Sequence, residues 1–489
     1  MPTPPAELRE TGAPAPVPGE SVPGEPAPGA PVPGGPAPRG EALRDRLLAR
    51  QARRESSART YARTLPVVPV RAEGAVVTGA DGRSYLDCLS GAGTLALGHN
   101  HPRVVAALRE VIDSGAPLHT LDMITPEKDA FTGELLGRLP GTLRDDARLH
   151  FCGPAGTDAV EAALKLAQDA TGRRGVVAFT GAYHGMTLGA SAVSGPRRMR
   201  DTPGADAVPV TRLPYPYDYR CPFGVGSRQS ARLSAALLES LITDPGSGVA
   251  PPAAVILEVV QGEGGVVEGP DAWLREVRRI TAEHGTVLIV DEVQTGVGRT
   301  GRFWACERAG VTPDVLVASK AVGGGLPLAL IAYRPALDTW RPGRHTGTFR
   351  GNTLAMAAGR VTLRTVAEEQ LALRAEALGE RIRAGLRRIG AGRPSFGDVR
   401  GRGLMIGVEL VDPDGPPDRL GTPPGDPALA AALRAACLEE GLMLELGGRD
   451  DTVLRLLPPL VLTDDQADSV LERIEAALRR TDTAGGTAA

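Results

Sequence analysis

Apolar residues in this chain gather in short unbroken runs, and stretches of helical period separate the runs. Beyond residue 102 come RLHFCG (148–153), GVVAFTG (175–181), AAVILEVVQG (253–262), TVLIVDEV (286–293), DVLVAS (314–319) and LPLALIAY (326–333). Most are rich in β-branched residues and continuous in hydrophobicity, as strands are in a sheet covered on both faces. The amphipathic stretches between them predict crossover helices, and hence an α/β fold around a mainly parallel sheet. Upstream, AVVTG and SYLDCL flank ADGR, whose Asp-Gly pair predicts a hairpin turn. After Gly359 the stretch TLRTVAEEQLALRAEALGERIRAGLRRI predicts a long helical region, followed by GRGLMIGVEL, a helix, VLRLLPPLVLT and a last helix. That mixture predicts a second, smaller α+β domain.

Composition changes this picture mainly at the amino end. The first 40 residues are Pro, Gly, Ala and Glu in low-complexity order, with too few apolar side chains to offset the entropy of ordering, and predict a flexible tail. The next segment, EALRDRLLARQARRESSARTYAR (41–63), predicts a basic helical docking arm with a solvated charged face. The expected division is therefore a tail at 1–40, an arm with part of the smaller domain at 41–98, a large domain at 99–372, the rest of the smaller domain at 373–480, and a short flexible tail at 481–489. A net charge of -3 over 489 residues gives no global drive toward nucleic acid or an anionic membrane, so small molecules and a second protein chain are the expected partners. Cys88, Cys152, Cys221, Cys306 and Cys437 are odd in number and widely spaced, which argues against a disulfide framework or a structural zinc site. A reducing cytoplasm fits that usage. No run of about 18 apolar residues and no secretory leader pattern is visible, so neither membrane insertion nor secretion is expected.

Candidate chemistry sits where the apolar runs end. HFCGPAGTDAVEAALKLA passes from a strand through Gly153, Pro154 and Gly156 into a helix, whose first N–H groups and positive dipole end suit a phosphate. Such turns are common in α/β proteins, and this one matches neither GxxxxGK[ST] nor GxGxxG. VVAFTGAYHGMT places Tyr183 and His184 just past a strand, where an aromatic ring either stacks on a flat cofactor or closes the edge of the core. Asp291 ends one buried run and Lys320 follows another. The carboxyl ends of strands in an open α/β sheet are where ligands bind. An acid there also caps helices, and a lysine also snorkels to solvent; but a buried ammonium without a partner is costly, which favours a chemical role for Lys320. An acid against a pyridinium nitrogen and an amine able to condense with an aldehyde are the two protein groups a pyridoxal phosphate (PLP) enzyme needs most.

Taken together, GPAGTDAVEAA, AYHGMT, ILEVVQGEGG, LIVDEVQTGVGRTG, VLVASKAVGGGLPLA and TFRGN resemble the signature stretches of class III (ornithine and GABA type) aminotransferases, in order and spacing over nearly everything after the tail. Within that class, LDCLSGAGTLALGHNHP, FCGPAGTDAVEAA, AYHGMT and HTGTFRGN are most similar to 2,4-diaminobutyrate aminotransferases. The resemblance implies fold type I: a large PLP-binding domain around a mainly parallel seven-stranded sheet, a smaller domain built from both chain ends, and a homodimer. It implies that Lys320 tethers the cofactor and serves as the general base, and that Asp291 pairs with the pyridine nitrogen. Gln294 is implied to contact the phenolic oxygen, Tyr183 to stack on the ring beside His184, and the backbone at Gly156 and Thr157 to hold the phosphate. Thr348 is implied to reach the phosphate across the dimer interface, and Glu258 to position groups near the cofactor. Arg455 corresponds to the residue that grips the α-carboxylate of glutamate, and Glu263 to the acid that pairs with this arginine when the substrate amine has no neighbouring carboxylate.

There are departures from the pattern. Ala155 stands where many members have Ser or Thr on the phosphate, which removes a hydroxyl contact of about 1 kcal/mol. Met186 occupies the position of an arginine that serves a distal carboxylate in ornithine and GABA enzymes, and argues against those two activities. The activity implied is ping-pong exchange of an amine between L-2,4-diaminobutyrate and 2-oxoglutarate, with L-aspartate 4-semialdehyde and L-glutamate as the other pair. The alternatives are another diamine or ω-amino acid as substrate, or an aminomutase, which needs no 2-oxoglutarate.

Overall fold

The computed structural model describes residues 40–485 except 202, 203 and 205–207; the proline-rich segment read as a tail, up to residue 39, lies outside the described residues, as do 486–489. From the amino end come β1 (Pro69–Glu73), β2 (Val76–Gly79) and β3 (Ser84–Asp87), then β4 (Arg148–Phe151), β5 (Val176–Phe179), β6 (Val210–Leu213) and β7 (Ala254–Glu258). A small hairpin, β8 (Val260–Gln261) and β9 (Val267–Glu268), precedes β10 (Val287–Asp291), β11 (Val315–Ala318) and β12 (Leu330–Tyr333). The chain closes with β13 (Phe396–Arg402), β14 (Met405–Leu410), β15 (Leu442–Met443), β16 (Glu445–Gly447) and β17 (Val453–Leu456).

All six apolar runs become strands of one seven-stranded sheet, together with β6, in the order β4-β12-β11-β10-β7-β5-β6. Only β12 runs antiparallel to its neighbours, so the sheet is mainly parallel as the pattern predicts. Strand alternation divides the runs between two cores. Val176, Ala178, Ala254, Ile256, Val287, Ile289, Val315 and Val317 pack with Ala159, Ala163 and Leu166 of the helix Gly156–Thr171 on one face. Val177, Phe179, Val255, Leu257, Leu288, Val290 and Leu316 pack with Trp273, Val277 and Ile280 of the helix Asp271–Glu283 on the other.

Two further sheets flank this layer. The predicted hairpin forms as β2 and β3, and β15 from the far end of the chain pairs in parallel with β3. The second sheet, β13-β14-β17-β16, is antiparallel and carries Arg455 on β17. The arm read as continuously helical from 41 to 63 is broken: it forms Gly40–Arg54 and a short turn Tyr61–Thr64. Ser56 Oγ accepts a hydrogen bond from Ala58 N–H in the gap, the local competition by which serine interrupts a helical ladder. Residues 481–485, read as the start of a flexible tail, instead continue the last helix, Asp464–Gly485, where Thr481 Oγ1 donates back to Leu478 O. Among the described residues no helix is long and apolar enough to cross a membrane, and all five cysteines are buried and free.

Candidate active site

Register brings the chemistry together. Asp291 of β10 lies opposite Glu258 of β7 and Val317 of β11, and Lys320 follows Val317 by three residues, so all three functional groups leave the same carboxyl edge. Tyr183 and His184 follow β5 at that edge, and the helix starting at Gly156 follows β4. They surround a cavity of about 270 Å³ lined by Gly156, Thr157, Tyr183, His184, Met186, Glu258, Glu263, Asp291, Val293, Gln294 and Lys320. Nine of the eleven residues assigned from sequence therefore meet here, and a tenth, Arg455, is bonded to one of them.

Asp291 is buried and held from two sides. His184 Nδ1 lies 2.8 Å from its Oδ2, and Val293 N–H donates to its Oδ1 at 3.0 Å. Burial alone pulls the His184 pKa down; the hydrogen bond and charge of Asp291 outweigh it, so the net shift is upward and the imidazole is kept as a donor toward the acid. Glu258 accepts from Tyr183 N–H at 2.7 Å and from Gly262 N–H at 2.9 Å, which fixes the turn bearing the aromatic ring. Burial raises its pKa to about 7. Lys320 sits in the left-handed region with φ of 50°, and its pKa is lowered by burial, against the opposing pull of Glu263. A lysine lowered in this way yields its free amine closer to neutral pH, as a nucleophile or base requires.

At the phosphate-suited end, Ala155 is the N-cap and supplies no side-chain acceptor to the helix Gly156–Thr171, so its first N–H groups receive none from the cap. Gly156 is closely packed there: a Cβ would stand 3.0 Å from Val293 Cγ1, which would have to shift to admit it. Thr157 Oγ1 and Thr187 Oγ1 are 2.8 Å apart, and Thr187 donates to Glu161 at 2.6 Å. This network orients the hydroxyl beside the position where Ala155 has none.

The opposite end is built from distant segments. Arg455 grips Glu263 in a bidentate pair, Nη1 to Oε1 at 2.8 Å and Nη2 to Oε2 at 2.9 Å, with the guanidinium almost wholly buried. Burial raises the Glu263 pKa; the charges of Arg455 and Lys320 together with the hydrogen bonds from Arg455 and Gln294 more than reverse it, leaving the carboxyl below its ordinary range. Tyr61 of the arm stands beside this pair; burial, then the charge of Glu263, raises its phenol. Sequence reading missed Tyr61, whose only signal is an aromatic ring within a charged arm. It also missed Val293, hidden between Asp291 and Gln294. Thr348 is not in this cavity: it is exposed in the loop 341–352.

The cavity fits PLP on its own terms. It offers an acid at one rim, an amine at another, an aromatic ring and an uncapped helix start. Gln294 Oε1 and His184 Nε2 are buried beside it without a hydrogen-bond partner among the described residues, polar atoms left for a ligand to satisfy.

Comparison with known proteins agrees with this geometry. The family model described as Aminotransferase class-III matches residues 56–478. The chain is 55% identical over 433 residues to a diaminobutyrate--2-oxoglutarate aminotransferase of Rhizobium meliloti, covering 88% of this chain and 92% of that protein. It is 48% identical to the protein of the same name from Haemophilus influenzae, covering 88% and 94%. Among solved structures, a PLP-bound amine transaminase from an uncultivated Pseudomonas species superposes with a TM-score of 0.77 at 29% identity, covering 87% of this chain and 98% of that one. This chain belongs to the class-III aminotransferases.

Proposed function

We propose that the protein is a PLP-dependent transaminase that interconverts L-2,4-diaminobutyrate and 2-oxoglutarate with L-aspartate 4-semialdehyde and L-glutamate. The observation that carries this reading is the closed Glu263–Arg455 pair over the Lys320 cavity, with Met186 at its mouth. Its relatives' names agree.

Asp291, oriented by His184, would hold the pyridine nitrogen; Tyr183 and Val293 would line the ring; the helix start at Gly156 and Thr157 would receive the phosphate; Gln294 would meet the phenolic oxygen. When bound, the cofactor supplies an aldehyde for the donor's amine and a ring that accepts the electron pair left as the carbon–hydrogen bond breaks. Lys320 would tether the cofactor, and its free amine would serve as the base that takes the proton from the substrate carbon and moves it toward the cofactor side. Arg455 and Glu263 sort the two substrates. A terminal amine has no adjacent carboxylate, so Glu263 stays on Arg455 and no buried guanidinium is left unpaired. Glutamate brings an α-carboxylate next to its reacting amine; Glu263 gives way and Arg455 takes that carboxylate in the same bidentate geometry. Each half-reaction leaves the enzyme ready for the other, which gives ping-pong kinetics.

We further propose a homodimer in the cytoplasm, with a large domain at 99–372 and a smaller one from the flanking segments. Leu118, Leu121, Met123, Ile124 and Phe349 are exposed large apolar residues on two segments that meet: Thr120 N–H donates to Gly351 O, and His119 lies against Phe349. A second copy covering this patch brings its Thr348 to the phosphate end of the first copy's cavity. Sedimentation at micromolar concentration is expected to give a dimer.

The test of activity is an amino-donor screen against 2-oxoglutarate, reading glutamate formed. Diaminobutyrate is expected to exceed ornithine, one methylene longer, and GABA, which lacks the α-amine, at least about tenfold. Equal or better use of ornithine or GABA refutes the assignment.

A further inference from the structure

Glu263 and Arg455 come from segments far apart in the chain, yet the same antiparallel sheet holds both. Glu263 lies in the turn Gly262–Val266 of the β8–β9 hairpin. At its base this hairpin belongs to the central sheet, through Gly262 N–H on Glu258 and Gln261 Nε2 on Thr180 O. At its tip it belongs to the sheet that carries Arg455. Arg400 of β13 donates from Nε to Gly265 O at 2.9 Å, and Gly448 N–H donates to the carbonyl of Glu263 itself at 2.8 Å. Glu268, at the far leg, accepts from Gly401 N–H at 2.8 Å and from Arg402 Nε at 2.9 Å.

Packing tightens the same attachment. Val260 and Val266 of the hairpin form a closed apolar cluster with Met405 and Leu457. A Cβ on Gly265 would stand 2.9 Å from Gly448 Cα, so the two backbones touch. Val266 has φ of 55°, a conformation that a β-branched residue keeps only where its surroundings impose it. Arg400 is buried and its charge is met by Glu409 at 2.8 Å and Asp398 at 3.1 Å, which leaves Nε free for the turn.

We propose that Arg400 is a positioning residue for Glu263: it fastens the turn bearing this acid to the sheet bearing Arg455, so that the pair opens by rotation of the Glu263 side chain alone. The backbone of the acid and the strand of the arginine move as one body. The closed state is therefore preorganised, and Arg400 serves the substrate that needs the pair closed more than the one that opens it. This rests on the sorting role given to Glu263 and Arg455 above.

The test is Arg400→Lys in the holoenzyme, with each half-reaction followed in single turnover by cofactor absorbance. Lysine keeps a cation for Glu409 and Asp398 and gives up the directed Nε–H bond. The diaminobutyrate half-reaction is expected to slow about fivefold or more, with the glutamate half-reaction within about twofold. Glutarate, a dicarboxylate with no amine to react, is expected to bind the variant about threefold or more tighter, because a slack Glu263 competes less well for Arg455. In a Glu263→Gln background, Arg400→Lys is expected to add nothing to the split. Equal losses with both donors, or a split undiminished in that background, overturn the proposal. If Arg400→Lys gives no soluble holoenzyme, Arg402→Lys slackens the same hairpin through Glu268 and must show the same split. Wild-type protein inactive with both donors removes the functional reading; wild-type protein active with both and a variant that loses equally removes only this one.

Discussion

The two ends of the cavity are made differently. At the sheet edge, Asp291, Glu258 and Lys320 leave adjacent strands in fixed register, with both faces of those strands packed into cores. At the other end, Glu263, Arg455 and Tyr61 arrive from a short hairpin, a carboxyl-terminal strand and an amino-terminal turn. The first construction suits a cofactor that stays put through every turnover. The second suits a substrate that alternates, because a charge pair mounted on short elements can be opened without disturbing the sheet.

That contrast predicts losses of two kinds. Lys320→Ala removes the amine proposed to serve both half-reactions; turnover is expected to fall by about 10³-fold or more with either donor, and the visible absorbance of the tethered cofactor to disappear. Retained absorbance and rate would place the tether elsewhere. Asp291→Asn keeps the shape and removes the charge; both half-reactions are expected to slow by about 10²-fold, equally, in stopped-flow measurements. A loss confined to one donor would break the separation of the two ends. Tyr61→Phe removes one hydroxyl beside the pair, a change of about 1 kcal/mol, and is expected to lower kcat/KM for diaminobutyrate roughly fivefold with the cofactor spectrum unchanged.

A further effect is on stability and leaves the choice of donor untouched. The Glu258 pKa is about 7 when folded, against 4.5 ordinarily, so the folded chain binds more protons between those values. Stability of the cofactor-free protein is expected to fall as pH rises from about 4.5 to about 7 and to stay at the lower level above. In Glu258→Gln that fall should shrink but not vanish in thermal unfolding recorded across the same range, because burial raises the Glu292 carboxyl to about 7 as well; an unchanged fall would assign it to groups other than Glu258.

How far the sequence could be read follows the same division. β7 (AVILE) and β10 (VLIVD) announce themselves because strands covered on both faces must be apolar throughout, and the residue that breaks each run, Glu258 or Asp291, is thereby marked. Lys320 is marked for the same reason. Tyr61 is not, because the exposed arm that carries it has no buried face and so no periodicity to read. The break at Ser56 also escaped, since a helical charge pattern continues across it and the helix is ended by local side-chain hydrogen bonds, from Ala58 N–H to Ser56 Oγ and from Arg59 to the carbonyls of Glu55 and Ser56. Nor was the anchoring of the Glu263 turn legible: Arg400 and Arg402 look like ordinary charges on a strand until the fold lays the hairpin against them.

That one end of the cavity runs the chemistry and the other selects the amine is tested most directly by Glu263→Gln in single turnover with each donor. The amide matches the acid in size, so the substitution adds no crowding; it removes the charge facing Arg455 and turns one of the two accepting oxygens into a donor, which breaks the bidentate pair. About a tenfold or greater loss is expected with diaminobutyrate and less than about threefold with glutamate, with the resting cofactor spectrum unchanged. Equal losses with both donors, or an altered resting spectrum, would refute that division of labour.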